Sequence, residues 1–380
     1  MPTSVAFNAS ILRAPRTGIG QYAVELCRAL QARGDLHLEI FSGWNWQHDL
    51  PEAAMPGYAP ASQLVKRLLP NAYAWRRRVE QHRFSNGIGK LKPALYHEPS
   101  LWPFNFEGPS IMTLHDLTHV HFPHTQPPDR LREIEKHIHR SIERCARILV
   151  DSQFIAEEAR QYYGVPEHKL VVAPLGFAPR FHPRSAGELA TTLHTFGITH
   201  RQYLLCVGTL EPRKNLALAI RSYLSLPRAL RERYPMLLAG LPGWQQDQMG
   251  ETFRHAVRDN HIRLLGYQDD VTLAELVAGA RLLLYPSLYE GFGLPVLESM
   301  ASGTPVITSS TASLPEVAGC AGTYVNPQDE DEFKAALCRL LEDDAEWHLK
   351  RQAGLNQATR FSWQRCAQIT AETYFDLLRP

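Results

Sequence analysis

"RLLLYPSLYEGFGLPVLESMASGTPVITS", from Arg281 to Ser309, holds two short apolar runs separated by a glycine-containing turn and a helix-patterned segment. Neither "LLLY" (282–285) nor "PVIT" (305–308) shows polar alternation, so each reads as a strand buried on both faces. Between them, Pro295 suits the first turn of a helix, where its missing N–H would have had no partner. Strand, loop, helix and strand in that order belong to a parallel sheet covered on both sides. Ligands of such sheets sit outside the carboxyl ends of the strands, which points to the loop between Pro286 and Leu294.

The same rhythm runs outward in both directions. "SVAF", "HLEIF", "ALYH", "SIMTLH" and "RILVDS" read as strands in the first half, and "KLVVAPL", "YLLCVG", "MLLAG" and "IRLLG" continue the series. Helical patterns lie between many of them, as in "GQYAVELCRALQARG", where Tyr22, Leu26, Ala29 and Leu30 share a face. The rhythm breaks at "GFAPRFHPRSAGELATTLHTFGITHRQY", punctuated by Pro179, Pro183, Gly187 and Gly197, and a linker is expected at 179–200. A chain of 380 residues is long for one domain. The expectation is an α/β protein of two doubly wound domains facing each other across a cleft, 1–185 and 186–360, closed by a C-terminal segment 361–380.

A formal charge of +1 gives no sign of a globally nucleic-acid-binding surface, and no nucleic-acid partner is expected; any basic patch is local. The six cysteines include no C-x-x-C pair, which argues against a zinc cage or a disulfide framework and for reduced thiols in a cytoplasmic protein. No secretory signal and no membrane-spanning apolar run is legible. One segment, "SQLVKRLLPNAYAWRRRVEQHRF" (62–84), interleaves Lys66, Arg67, Arg76, Arg77, Arg78 and Arg83 with Leu64, Leu68, Leu69, Tyr73 and Trp75. Such a segment suits the anionic inner face of a membrane, or else forms a solvated helix face.

The loop after "LLLY" poses a problem of charge. Gly291 and Gly293 let backbone approach a ligand closely, and first-turn amides with the helix dipole favour a phosphate. Yet Glu290 and Glu298 flank that anion site. Carboxylates accept hydrogen bonds and sugars donate them, so Glu298 is assigned to ribose hydroxyls and Glu290 to a second sugar beyond a diphosphate. A sugar on each side of a diphosphate is a nucleotide sugar. After "YLLCVG", Arg213 and Lys214 stand where a strand gives way to a helix, an electrostatically poor place for idle cations. Two fixed cations there suit charge growing on a departing diphosphate. In the first half, "TLHDL" puts His115 at a strand end as a donor to the transferred sugar or a capping imidazole, and "RTGIGQY" puts Gly18 and Gly20 at a helix start. His119, His121 and His124 are not assigned to a metal, because no Glu or Cys nearby completes a recognisable ligand set.

These motifs resemble family 4 of the retaining glycosyltransferases, whose two Rossmann-like domains make the GT-B fold. The resemblance runs over nearly the whole chain and is strongest in "VGTLEPRKN", "YEGFGLPVLESMASGTPVITS" and "SLPEVAG". It implies that Arg213 and Lys214 hold the donor diphosphate and that Glu290 meets the transferred sugar. Gly291, Phe292 and Gly293 would supply amides, with Leu294 beside them, and Glu298 would bind ribose. Gly18 and Gly20 would face the diphosphate and His115 the sugar. The closing "FSWQRCAQITAETYFDLL" is similar to the family's last helix, which crosses back onto the first domain. Many members carry arginine where this chain has Thr209, which leaves the division of labour between Arg213 and Lys214 open. "LYHEPSLWPF", with His97, Glu98 and Pro99, is similar to the bacterial branch that builds O-antigen or exopolysaccharide, often from GDP-mannose or GDP-rhamnose. The implied reaction is hexosyl transfer with retention to a lipid-linked glycan, with no cofactor and no required metal. Two rivals are a nucleotide-sugar 2-epimerase and an NAD-dependent dehydrogenase. The latter rests on Gly18-x-Gly20-x-x-Ala23, which fits the loose dinucleotide pattern but does not follow its strand directly.

Overall fold

In a computed structural model, which describes residues 2–12, 18–50, 72–209, 211–240 and 250–379, the apolar runs pair into two sheets. The first contains β1 (Thr3–Asn8), β2 (Leu36–Phe41), β3 (Trp46–Gln47), β4 (Leu95–Glu98), β5 (Ser110–Leu114), β6 (Arg147–Val150) and β7 (Leu170–Val172). Their spatial order is β3-β2-β1-β4-β5-β6-β7. The second contains β8 (Leu204–Val207), β9 (Met236–Ala239), β10 (Ile262–Gly266), β11 (Leu282–Tyr285), β12 (Val306–Ser309) and β13 (Thr323–Val325), ordered β10-β9-β8-β11-β12-β13. In each sheet the order reverses beside the first strand, β1 or β8. That reversal is where doubly wound folds open a crevice for ligands.

Every strand pair is parallel except β2 with β3, a departure from the all-parallel expectation. The tight turn between them explains it: Ser42 N–H donates to the Asn45 carbonyl at 2.9 Å, and Asn45 N–H donates back to Ser42 Oγ at 3.2 Å. A turn this short joins only antiparallel neighbours. With two residues and no apolar period, β3 left no strand signal in the sequence.

The chain divides into two compact units, Met1–Leu175 with Trp363–Pro380, and Gly176–Ser362. The stretch 179–200, read from sequence as linker, therefore belongs to the second unit, where Ala190–Phe196 is helical and Leu193 is buried. Proline and glycine there punctuate a packed element. The closing helix Trp363–Leu378 belongs to the first unit and packs against the helix Gly18–Gln31.

Each unit has its own core. In the first, Phe41, Phe84, Tyr96 and Phe104 cluster, and Phe84 stacks on Phe104 with centroids 4.9 Å apart. In the second, Leu204, Met236, Leu238, Leu282 and Leu284 of the strands pack against Leu337, Leu340 and Trp347 of the last two helices of the unit. The basic segment is described only from residue 72, so Lys66, Arg67 and the leucines beside them lie outside the described residues. Within the helix Ala72–Leu91, Arg76 pairs with Glu80 at 2.6 Å, Arg77 lies 3.7 Å from the Phe104 ring centroid, and Arg83 lies 3.9 Å from that of Trp44. These three guanidiniums are engaged inside their own unit, whereas Arg78 and Trp75 are exposed. Among the described residues no helix is long and apolar enough to cross a membrane.

Candidate functional site

In the second unit the ends of β8 and β11, neighbours in the sheet, bring the loops after them together. After β8 the chain passes Gly208 and Thr209, makes a short turn of 3₁₀ helix at Pro212–Lys214, and enters the helix Leu216–Leu224. Gly208 has φ +134°, and a side chain at Gly240 would meet the Gly208 carbonyl oxygen at 1.8 Å. Two glycine main chains thus touch where the loop after β8 leaves its strand. After β11 the chain runs through Glu290 to Gly293, whose φ of +103° caps the helix Leu294–Ala301. Leu288 N–H donates to the Arg213 carbonyl at 2.8 Å, and Ser313 Oγ–H has both the Glu290 carbonyl, at 2.8 Å, and that of Phe292, at 3.0 Å, within reach.

Arg213, Lys214 and Glu290 converge there. Lys214 Nζ donates to Glu290 Oε1 and to Tyr285 Oη, each at 2.6 Å. Arg213 Nη1 donates to Glu290 Oε2 at 3.0 Å and to the Tyr289 carbonyl at 3.1 Å, while its Nε donates to Glu211 at 3.0 Å. Burial alone would raise the Glu290 carboxyl, but the Lys214 ammonium and Arg213 guanidinium overcome it and hold the group at about 2. Burial pulls Lys214 below its ordinary value, with Glu290 opposing. Burial first, then the Glu290 charge, pushes the Tyr285 hydroxyl well up, so it stays protonated. Glu290 thus carries a charge already paired by two cations, rather than standing bare beside an anion site. A shallow recess of about 10 Å³, room for roughly one water, is lined by Lys214, Tyr285, Gly208, Thr209 and Pro286. Glu298 sits on the helix that Gly293 caps, half-buried. Tyr285 was not singled out from sequence, because a tyrosine ending an apolar strand reads as core.

In the first unit, the strand ends carry a different constellation. His115 follows β5; its Nδ1 lies 2.7 Å from Asp151 Oδ2, and its Nε2 lies 3.2 Å from the Pro99 carbonyl. Burial opposes charge on His115, but Asp151 outweighs it and raises the imidazole. Each ring nitrogen faces an acceptor, a carboxylate at Nδ1 and a carbonyl at Nε2. Tyr22 packs edge-on against the His115 ring, centroids 4.6 Å apart. Asp151 follows β6 and was missed by sequence reasoning, although it ends the run "RILVD" at a strand terminus. Gly18 and Gly20 lie in the first turn of the helix Gly18–Gln31, with Gly20 buried. His97 and Glu98 are interior: Glu98 accepts from Asn8 at 2.7 Å and from Tyr96 and Ser100 at 2.6 Å, and His97 bridges Tyr374 and Thr113. His119 bonds Tyr163, and His121 pairs with Glu158. Among the described residues these two histidines join no metal-ligating group.

Two family models match the chain. One, described as glycosyl transferases group 1, covers residues 196–360, and one described as Glycosyltransferase Family 4 covers residues 16–181. The O-antigen chain mannosyltransferase B of Escherichia coli is 34% identical over 97% of this chain and 99% of its own. Among solved structures, sucrose-phosphate synthase from Thermosynechococcus elongatus is similar with a TM-score of 0.77 at 20% identity, covering 99% of each chain. WaaG, a glycosyltransferase involved in lipopolysaccharide biosynthesis, gives 0.74 at 18% identity over 97% of this chain and 99% of its own. The structural likenesses establish a common fold, the GT-B arrangement of two doubly wound sheets.

Proposed function

The chain belongs to glycosyltransferase family 4, and from that premise we propose that it moves a mannosyl group from GDP-mannose to a hydroxyl of a lipid-linked glycan, in assembly of an O-antigen or a related polysaccharide. Mannose is favoured over rhamnose because a relative 34% identical over nearly the whole of both chains is a mannosyltransferase. The observation that carries the reading is the Arg213–Lys214–Glu290 cluster beside a recess at the strand ends. A sugar nucleotide leaves as a diphosphate, and the barrier falls if cations already stand where that charge grows. Glu290 does this ordering before the donor arrives. The Lys214 ammonium has three donors, two of them directed to Tyr285 and Glu290, and the third is assigned to a phosphate oxygen.

The proposed chemistry is substitution on one face of the sugar. The bond from the anomeric carbon to the diphosphate oxygen breaks, the acceptor oxygen attacks from the same side, and the leaving phosphate takes the acceptor's proton. Neither carboxylate attacks, in contrast to a retaining glycosidase, and configuration is retained. Arg213 and Lys214 supply the positive charge that a divalent ion would otherwise bring. Thr209, Gly291, Phe292, Gly293 and Leu294 are assigned to the diphosphate, Glu298 to ribose, and His115, with Gly18 and Gly20, to the first unit's part in donor binding. Membrane contact through 62–84 rests on the exposed Trp75 and Arg78.

The test is incubation with GDP-mannose and a lipid-linked acceptor, with UDP- and ADP-sugars as controls. Transfer with retained configuration is expected from GDP-mannose, and none from Glu290→Ala. Isomerised donor in the absence of acceptor would favour the epimerase, and strict dependence on Mn²⁺ or Mg²⁺ would overturn the cationic mechanism.

A further inference from the structure

We propose that His37, Glu39 and His48 form a binding site for a divalent transition metal, Zn²⁺ being the best match, at the edge of the first sheet. The three lie in "LHLEIFSGWNWQH", 36–48. His37 and Glu39 are two apart on β2, so they point to the same face. The pairing Ile40 with Gln47, carried one step further, sets Glu39 opposite His48. Strand period and hairpin register thus deliver three ligands to one point, and their ligating atoms all lie within 4.8 Å of one another.

Each carboxylate oxygen of Glu39 faces one imidazole nitrogen at close to the spacing of neighbouring metal ligands. His37 Nε2 is 3.3 Å from Glu39 Oε1, and His48 Nδ1 is 3.4 Å from Glu39 Oε2. Zinc bonds of about 2.0–2.2 Å in a tetrahedron set neighbouring ligand atoms roughly 3.3–3.5 Å apart. The two imidazole rings are 4.8 Å apart between centroids, and both side chains reach the surface, where solvent and ions have access.

A second, independent feature is Glu39 itself. It is 6% exposed, and its Oε2 is buried without a hydrogen-bond partner. A carboxylate oxygen taken from water, with only the His48 Nδ1 contact at 3.4 Å and no hydrogen bond, costs free energy that a cation restores. Nitrogen and oxygen ligands together suit Zn²⁺ over Mg²⁺ or Ca²⁺, which take oxygen alone. Three protein ligands leave a fourth position for water. Gln31 Nε2 donates to the His48 carbonyl at 2.7 Å and steadies that backbone. Because β3 contributes only two residues to the ladder, a metal shared between β2 and His48 fastens an otherwise weak edge. None of the three residues belongs to the donor-binding set, so this site and the proposed transfer stand or fall separately.

The experiment uses full-length protein stripped with chelator and titrated with Zn²⁺, read by calorimetry and thermal melting. One ion per chain and a rise in Tm are expected. The double variant His37→Ala/His48→Ala loses both effects, and Glu39→Gln weakens binding at least tenfold. The two histidines are exposed, so their removal leaves the core intact. Cys320, an exposed thiol, is the obvious competing ligand, and Cys320→Ser must keep the stoichiometry. Cobalt substitution should give a visible d–d band that the double variant lacks. Binding unchanged in the double variant, lost in Cys320→Ser, or absent from the wild type overturns the proposal.

Discussion

The strand ends of the two units hold polar clusters built on opposite electrostatic plans. In the second unit a carboxylate is kept ionised by two cations, Glu290 lying at about 2. In the first, burial pushes the Glu98 carboxyl up, and burial, with His115 nearby, presses His97 down to about 3. His97 is therefore neutral at physiological pH, and its two nitrogens meet hydroxyls, Tyr374 at 2.6 Å and Thr113 at 2.9 Å. One cluster is an ionised group held between two cations. The other is a closed network that ties the C-terminal helix to β4 and β5. Equivalent places in similar sheets thus acquire different tasks from their partners, and position at a strand end does not by itself mark a functional residue.

The largest expected effect tests the charged cluster. Lys214→Met keeps the stem and removes the ammonium. Transfer should fall at least a thousandfold in kcat/KM, about 4 kcal/mol of transition-state stabilisation. His97→Gln should leave transfer within a few-fold. Steady-state kinetics on both variants checks the contrast, and equal losses would erase it.

The next effect is acid sensitivity in the first unit. His97 binds a proton less readily folded than unfolded, so the unfolded chain takes up more protons between its ordinary value of 6.5 and about 3. Stability should therefore drop as pH falls through that window. In His97→Gln the slope should be shallower by close to one proton, as urea melts from pH 7 to 4 would show. An unchanged slope would mean that His97 is not held neutral.

A narrower window belongs to Glu290. Its folded value is depressed, so its contribution is complete above the ordinary 4.5 and is lost as pH falls through about 2. The amount is at most about 3 kcal/mol, and less for the pair because burial opposes the Lys214 charge. Glu290→Gln should destabilise at pH 7 and converge with wild type near pH 2. Parallel stability curves would show that the pair is not an ion pair in solution.

Much of the fold was readable because its signals are local. Buried parallel strands are short apolar runs, the helices between them carry a repeating face, and Gly291, Gly293 and Pro295 announce a loop entering a helix. The antiparallel edge was not readable, since β3 is two residues long. Nor was the place of 179–200, because proline and glycine mark a turn in the chain without saying which body it packs on.

For the candidate site, the sequence by itself determined which residue types stand at the strand ends: Arg213 and Lys214 after β8, Glu290 after β11, His115 after β5. Only the tertiary structure decided their partners. Lys214 and Glu290 are 76 residues apart, His115 and Asp151 are 36 apart, and His97 and Tyr374 are 277 apart. Such pairs follow from which strands become neighbours and in what register. The charge state of each group follows in turn from burial and from the partner it meets, and no local pattern encodes either.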